Sequence, residues 1–240
     1  MTRIKICGLT READVEAAIE AGADAIGFVF YAKSPRAVTP ERARALAKLL
    51  PPFVTPVGLF VNATDDELKA GFDALPNMLV QFHGDEEPAD CDRIRRPYLR
   101  AARMAPGADL IDFATRFSNA QAILLDAHVD GYGGGGKVFD WSLIPPNVSS
   151  PSSAGPSQAD GTPAGGGAGV AGDRGRRLLV LSGGLNAANV GDGIARVRPW
   201  AVDVSSGVEV SKGIKSADLI HEFCNAVRLA DERAGAALTR

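Results

Sequence analysis

Basic residues are outnumbered in this chain of 240: 26 Lys and Arg stand against 29 Asp and Glu, a net charge of −3. A surface that tracks phosphate backbones needs a cationic surplus, so nucleic acid is excluded as an expected partner. Cysteine is scarce. Cys7, Cys91 and Cys224 are too few for a disulfide framework and too scattered for a zinc cluster, and they suit a reducing compartment where a cysteine acts as a thiol. Long apolar runs are missing as well. None approaches the roughly 18 residues of a membrane-spanning helix, and the opening MTRIKICGLT carries no extended apolar leader core. A soluble, unexported, cytoplasmic protein with no membrane partner is expected. Nor does the glycine fingerprint of a dinucleotide-binding crossover follow the first apolar run.

What is present is an alternation. Hydrophobic residues make up 45% and charged residues 23%, enough to bury a sizeable core, and at about 150 residues per domain one large domain or two small ones are allowed. Short runs rich in Val, Ile and Phe at 3–7, 24–30, 55–61, 78–82, 98–102, 122–126, 178–182 and 201–205 alternate with helical patterns. The helical stretches are 11–21, 40–50, 65–74, 87–95, 109–117, 187–197 and 216–230. That rhythm predicts βα units on a parallel sheet, and about eight strands predict closure into a (β/α)8 TIM barrel of class α/β, one domain over 1–240. An open doubly wound sheet shares the alternation and is the alternative. Thr10, Thr39, Thr64 and Asn186 precede helical patterns as N-cap types, and Pro40 suits a first turn.

After the sixth strand only a weak helical pattern, 139–143, is available, and then the composition breaks. Residues 147–176 are dominated by Ser, Pro, Ala and Gly, with Val148 and Val170 their only large aliphatics. Such a stretch buries too little apolar area to offset its ordering entropy and is expected to be a disordered insertion. Its removal leaves about 210 residues, within the range of a lean barrel.

Reactive groups in such barrels sit at the C-terminal ends of strands. Cys7 ends the first run, Phe30 leads into YAKSPR, His83 follows the fourth and Asp126 ends the sixth, while Ser182-Gly183-Gly184 and Ser205-Ser206-Gly207 follow the last two. Period-two alternation turns Ile4 and Ile6 toward the helices and Lys5 and Cys7 inward; it likewise turns Leu124, Asp126, Ala201, Asp203 and Ser205 inward. Closure makes the eighth strand a neighbour of the first, so Lys5 and Asp203 are expected to pair, and Lys5 is expected to lower the Cys7 pKa. The SGGLN turn leading into a helix and the VSSGVE segment place small residues where barrels commonly hold a phosphate at helix N-termini.

KICGLT at 5–10, SPR at 34–36, VQFHG at 80–84, LLDA with its glycine-rich sequel, LSGGLN at 181–186 and DVSSGVE at 203–209 together resemble the phosphoribosylanthranilate isomerase family of tryptophan biosynthesis, in order along nearly the whole chain. The resemblance implies an Amadori rearrangement of the aminoaldose N-(5-phosphoribosyl)anthranilate to 1-(2-carboxyphenylamino)-1-deoxyribulose 5-phosphate. It implies no metal or organic cofactor. By motif position, Asp126 resembles the general acid and Cys7 the general base. Arg36 is similar to the residue that holds the anthranilate carboxylate, Gly183, Gly184, Ser205, Ser206 and Gly207 fall on the phosphate loops, and Asp203 stands among the substrate-binding positions. The implied partner is this small phosphosugar, bound to a monomer or homodimer. Gly135 stands where the family usually carries threonine, which predicts a more mobile loop at 133–136, and Phe82 stands where leucine is common.

The acid role requires that Asp126 keep its proton part of the time, and the base role that Cys7 be partly thiolate. Cys91 and Cys224 read as core thiols. His83 is placed near the pocket without a catalytic role, and His128 as loop decoration. Two other functions fit the architecture. A phosphosugar isomerase of histidine biosynthesis typically uses carboxylates for both acid and base, which Cys7 argues against; a phosphate-binding barrel without turnover fits the fold equally.

Overall fold

Val, Ile and Leu crowd both faces of the strand segments, the pattern of strands buried on two sides in a parallel sheet. In the structure, a computed structural model that describes residues 1–127, 139–145 and 178–238, eight such strands close into a barrel in the order β1 to β8. They are β1 (Arg3–Cys7), β2 (Ala25–Val29), β3 (Thr55–Phe60), β4 (Leu79–Phe82), β5 (Tyr98–Met104), β6 (Ala122–Ala127), β7 (Leu178–Leu181) and β8 (Ala201–Val204). Every pairing is parallel, and β1 lies between β2 and β8 with Lys5 opposite Asp203. Closure rather than an open sheet is therefore the outcome. Among the described residues no helix is long and apolar enough to cross a membrane.

Alternation divides the side chains as expected. Leu99, Ala101, Ala122, Leu124, Val180 and Ala201 form a packed layer inside the barrel, while Ile4, Ile6, Ile123, Leu125, Val202 and Val204 join the larger core beneath the helices. Each fully buried Val, Leu or Ile among them contributes about 1.5–3 kcal/mol. The helices are α1 (Glu12–Glu20), α2 (Pro40–Ala47), α3 (Asp65–Ala74), α4 (Pro88–Asp92), α5 (Leu110–Arg116), α6 (Val190–Val197) and α7 (Ala217–Leu238). A short antiparallel hairpin, β9 (Glu209–Ser211) and β10 (Ile214–Lys215), precedes α7.

Two of the four expected caps form. The Thr39 side chain accepts from the Arg42 amide, and Thr64 builds a capping box with Glu67. Thr10 does not cap: its hydroxyl donates to the Gly213 carbonyl at 2.8 Å, and Arg11 takes the cap position in extended geometry without a side-chain bond. Asn186 is not the cap of α6 either. Its side chain accepts from the Ala188 amide within a turn, and the helix begins only at Val190.

Other ends shift for local reasons. The α2 helix stops at Ala47, because the residue before Pro51 is biased away from helical angles. Beyond Ala217 the Ala-, Leu- and Glu-rich sequence carries α7 to Leu238, past the expected end at 230, as its propensities allow. After β6 the described chain holds a single 3₁₀ turn, Trp141–Leu143, in place of a helix. The insertion at 147–176, the loop at 133–136 with Gly135, and His128 lie outside the described residues.

Candidate active site

The mouth is assembled from the last inward residues of the strands. Cys7 closes β1 with 5% of its surface exposed, and Gly27 is its register partner on β2. A Cβ on Gly27 would meet the Cys7 sulfur at 2.8 Å, so the missing side chain makes room for the thiol. Below it, Lys5 Nζ donates to Asp203 Oδ1 at 2.7 Å, and Ser182 Oγ donates to Asp203 Oδ2 at 3.1 Å. Lys5 and Asp203 pair as expected, both buried. Burial alone would pull the Lys5 ammonium down, but Asp203 and Cys7 outweigh it and raise it. Burial is also the largest influence on the Cys7 thiol and pushes it above its ordinary value. Lys5 acts downward as expected and is outweighed, and Asp203 adds an upward push.

Arg36 is 7% exposed and forked onto one carboxylate: Nε and Nη2 donate to the two Glu209 oxygens at 2.7 and 2.8 Å. Glu209 also accepts from Lys215 Nζ at 2.8 Å. Burial pushes the Glu209 carboxyl up, yet its bonds to Arg36 and Lys215 win and hold it below the usual range. Lys215 is lowered, burial outweighing Glu209. Gly8 fixes this arrangement from below. It sits at φ +77°, and a Cβ there would lie 2.6 Å from Arg36 Cδ. The sequence reading missed Gly8 and Lys215 and saw Glu209 only as the end of a motif; a glycine directly after a mouth cysteine was the available signal.

The small-residue loops touch each other. A Cβ on Gly207 would come within 1.9 Å of the Leu185 carbonyl oxygen, and one on Gly183, at φ +78°, within 2.5 Å of the Ala127 amide. Ser205 precedes the short 3₁₀ turn Ser206–Val208. The turn after β7 leads into a helix as expected, though α6 starts only at Val190, and the second loop is a 3₁₀ turn too short to carry a substantial dipole.

Asp126, 8% exposed, is the last residue but one of β6. Its Oδ1 accepts from the Ala127 amide at 2.9 Å, and its Oδ2 lies 2.9 Å from His83 Nε2. His83 Nδ1 in turn lies 3.0 Å from Gln81 Nε2. His83 is thus more than a neighbour of the pocket, because it is bonded to the carboxyl expected to act as acid. Its loop is held from behind by Arg100, whose guanidinium donates to the carbonyls of Phe82, Gly84 and Glu86 at 3.1 to 3.2 Å. Cys91 and Cys224 are core thiols, as expected, at 0% and 1% exposure.

Barrel and mouth together define the class, a (β/α)8-barrel protein whose titratable cluster and small-residue loops share the strands' C-terminal end, the end where barrel enzymes work. Residues 4–226 match the protein-family model of N-(5'-phosphoribosyl)anthranilate (PRA) isomerase. The chain is 63% identical over 235 residues to the N-(5'-phosphoribosyl)anthranilate isomerase of Methylibium petroleiphilum, covering 98% of each chain. It is 60% identical to that of Leptothrix cholodnii, covering 97% of this chain and 93% of the relative. Among solved structures, a phosphoribosyl anthranilate isomerase in complex with reduced 1-(o-carboxyphenylamino)-1-deoxyribulose 5-phosphate is 38% identical, with a TM-score of 0.72 and coverage of 95% and 99%. The chain belongs to the N-(5'-phosphoribosyl)anthranilate isomerase family and is an isomerase of tryptophan biosynthesis.

Proposed function

We propose that the mouth carries out the Amadori rearrangement of N-(5-phosphoribosyl)anthranilate, with Asp126 as general acid and Cys7 as general base. Asp126 protonates the furanose ring oxygen as the bond from that oxygen to C1′ breaks, and the anilino nitrogen's lone pair forms the C=N bond of a Schiff base. The Cys7 thiolate then removes the C2′ proton, and the released electron pair moves toward the iminium carbon to give an enolamine. That enolamine tautomerises to the ketone, returning a proton to carbon. One acid and one base in different surroundings suffice for both steps.

The observation that carries this reading is the pairing of environments at one mouth: a thiol beside the Lys5–Asp203 ion pair and a carboxyl bonded to His83. Arg36, its Nε and Nη2 taken by Glu209, offers Nη1 to the anthranilate carboxylate. Gly183, Gly184, Ser205, Ser206 and Gly207 hold the phosphate through loop backbone and hydroxyls, while Asp203 keeps Lys5 in place beneath the sugar. The test follows the fluorescence of the anthranilate sugar in wild type, Cys7→Ala and Asp126→Asn. Each variant keeps the wild-type circular dichroism spectrum and loses at least about 100-fold in kcat; near-normal turnover in either removes its assignment.

A further inference from the structure

We propose that Gln81 is a positioning residue that fixes the tautomer of His83 and thereby makes His83 a standing hydrogen-bond donor to Asp126. The inference rests on Asp126 being the proton donor. Gln81 lies on β4, fully buried, two residues beyond Leu79, which packs on the interior layer; alternation therefore places Gln81 on the inner face of the barrel, two residues before His83. The chain of contacts runs Gln81 Nε2 to His83 Nδ1 at 3.0 Å, then His83 Nε2 to Asp126 Oδ2 at 2.9 Å.

The amide has two settings. With Nε2 toward the ring it donates to Nδ1, and its Oε1 is buried without a partner among the described residues. Rotated by half a turn, Oε1 would accept from an Nδ1–H, so the two settings select opposite tautomers. The structure holds the first setting, with Nε2 facing Nδ1 at 3.0 Å. An amide donor at Nδ1 excludes a proton there, so in this setting the ring hydrogen sits on Nε2.

That hydrogen points at Oδ2. A bond into Oδ2 strengthens as the carboxyl gives its proton to the ring oxygen and becomes a carboxylate, so it acts on the transition state more than on bound substrate. Among the described residues the other charged groups about this pair are few. Arg103, the register partner of Asp126 on β5, pairs with Asp85 at 3.1 Å, and Glu86 accepts from the amides of Asn62 and Gly84 beside the Arg100 guanidinium. On the chain's own ring, Gln81 is the group placed to decide which nitrogen carries the proton.

The chain has three histidines, so long-range proton–nitrogen correlation on protein labelled at histidine gives a small spectrum, with His83 assigned by its loss in His83→Asn. Wild type is expected to show His83 protonated at Nε2 and bare at Nδ1 near neutral pH. In Gln81→Met the ring mixes tautomers and kcat falls about ten-fold with KM little changed, a part of what a general acid contributes. In Gln81→Glu, an isosteric change that serves if the methionine variant does not fold, the carboxylate accepts from Nδ1 and the spectrum is expected to show a proton on that nitrogen. In a His83→Asn background, Gln81→Met adds less than two-fold, since the group it acts through is gone. A wild-type His83 carrying its proton on Nδ1 overturns the proposal, and so does a Gln81→Met protein with unchanged tautomer and kcat. Near-normal turnover in Asp126→Asn would instead remove the acid assignment while leaving the tautomer result standing.

Discussion

A thiol of ordinary pKa, about 8.5, is only a few per cent thiolate at neutral pH, and burial pushes Cys7 higher still in the ligand-free protein. Because alkylation needs the thiolate, its rate at Cys7 is expected to climb with pH through a limb above about 8.5. Lys5 opposes this shift and Asp203 adds to it, with the Lys5 influence the larger. Removing Lys5 alone would strand a buried carboxylate at a cost of about 3–5 kcal/mol. The clean variant is therefore Lys5→Met with Asp203→Asn, which deletes both charges and leaves the downward pull as the greater loss. Its Cys7 limb moves further up, so the activity at neutral pH falls. Alkylation rate against pH, with Cys7→Ala as the blank, measures the shift directly. An unmoved or lowered thiol would show that the pair does not tune the base.

The loops following β7 and β8 act as one element, because Gly207 lies against the Leu185 carbonyl. Adding a methyl at 207 pushes the two loops apart, and overpacking of this kind costs about 1–3 kcal/mol. Gly207→Ala is expected to raise KM about ten-fold with a smaller change in kcat, since a widened phosphate seat is felt by substrate and transition state alike. A KM equal to wild type would show that the phosphate does not sit there.

The same scale shows what could be read from the chain. Lys5 and Asp203 were legible as partners because closure makes β1 and β8 neighbours and alternation turns both inward. His83 and Asp126 were not. His83 follows β4 and Asp126 lies on β6, with β5 between them, and their contact depends on how far the loop after β4 reaches, which Arg100 sets from the helix side. Thr10 and Asn186 have cap chemistry, but one hydroxyl found the Gly213 carbonyl and the other side chain found its own turn. Local propensity named the residue types; partners distant in sequence decided their use.

At the scale of the molecule the two ends of the barrel divide the labour, with chemistry at the C-terminal ends of the strands and stability at the other. The N-terminal end is sealed by contacts between the chain's extremes. The Thr2 amide and hydroxyl both donate to the Asp231 carboxylate of α7 at 2.7 Å, and Arg228 donates to the Thr2 carbonyl at 3.0 Å. These bonds fasten the final helix across the start of β1, the strand whose pairing with β8 closes the barrel. Asp231→Ala removes two charge-assisted bonds in a partly buried place, each worth about 1.5–3 kcal/mol when intact and less where water can replace it. A net loss of about 2 kcal/mol, at about 2–4 °C per kcal/mol for a chain of this size, lowers Tm by several degrees. Because Asp231 lies at the opposite end from Cys7 and Asp126, kcat and KM should remain within two-fold of wild type below the melting range. Urea unfolding followed beside turnover tests both halves. A midpoint equal to wild type would deny the seal its share of the stability, and a kcat that fell in step with the midpoint would deny the separation of the two ends.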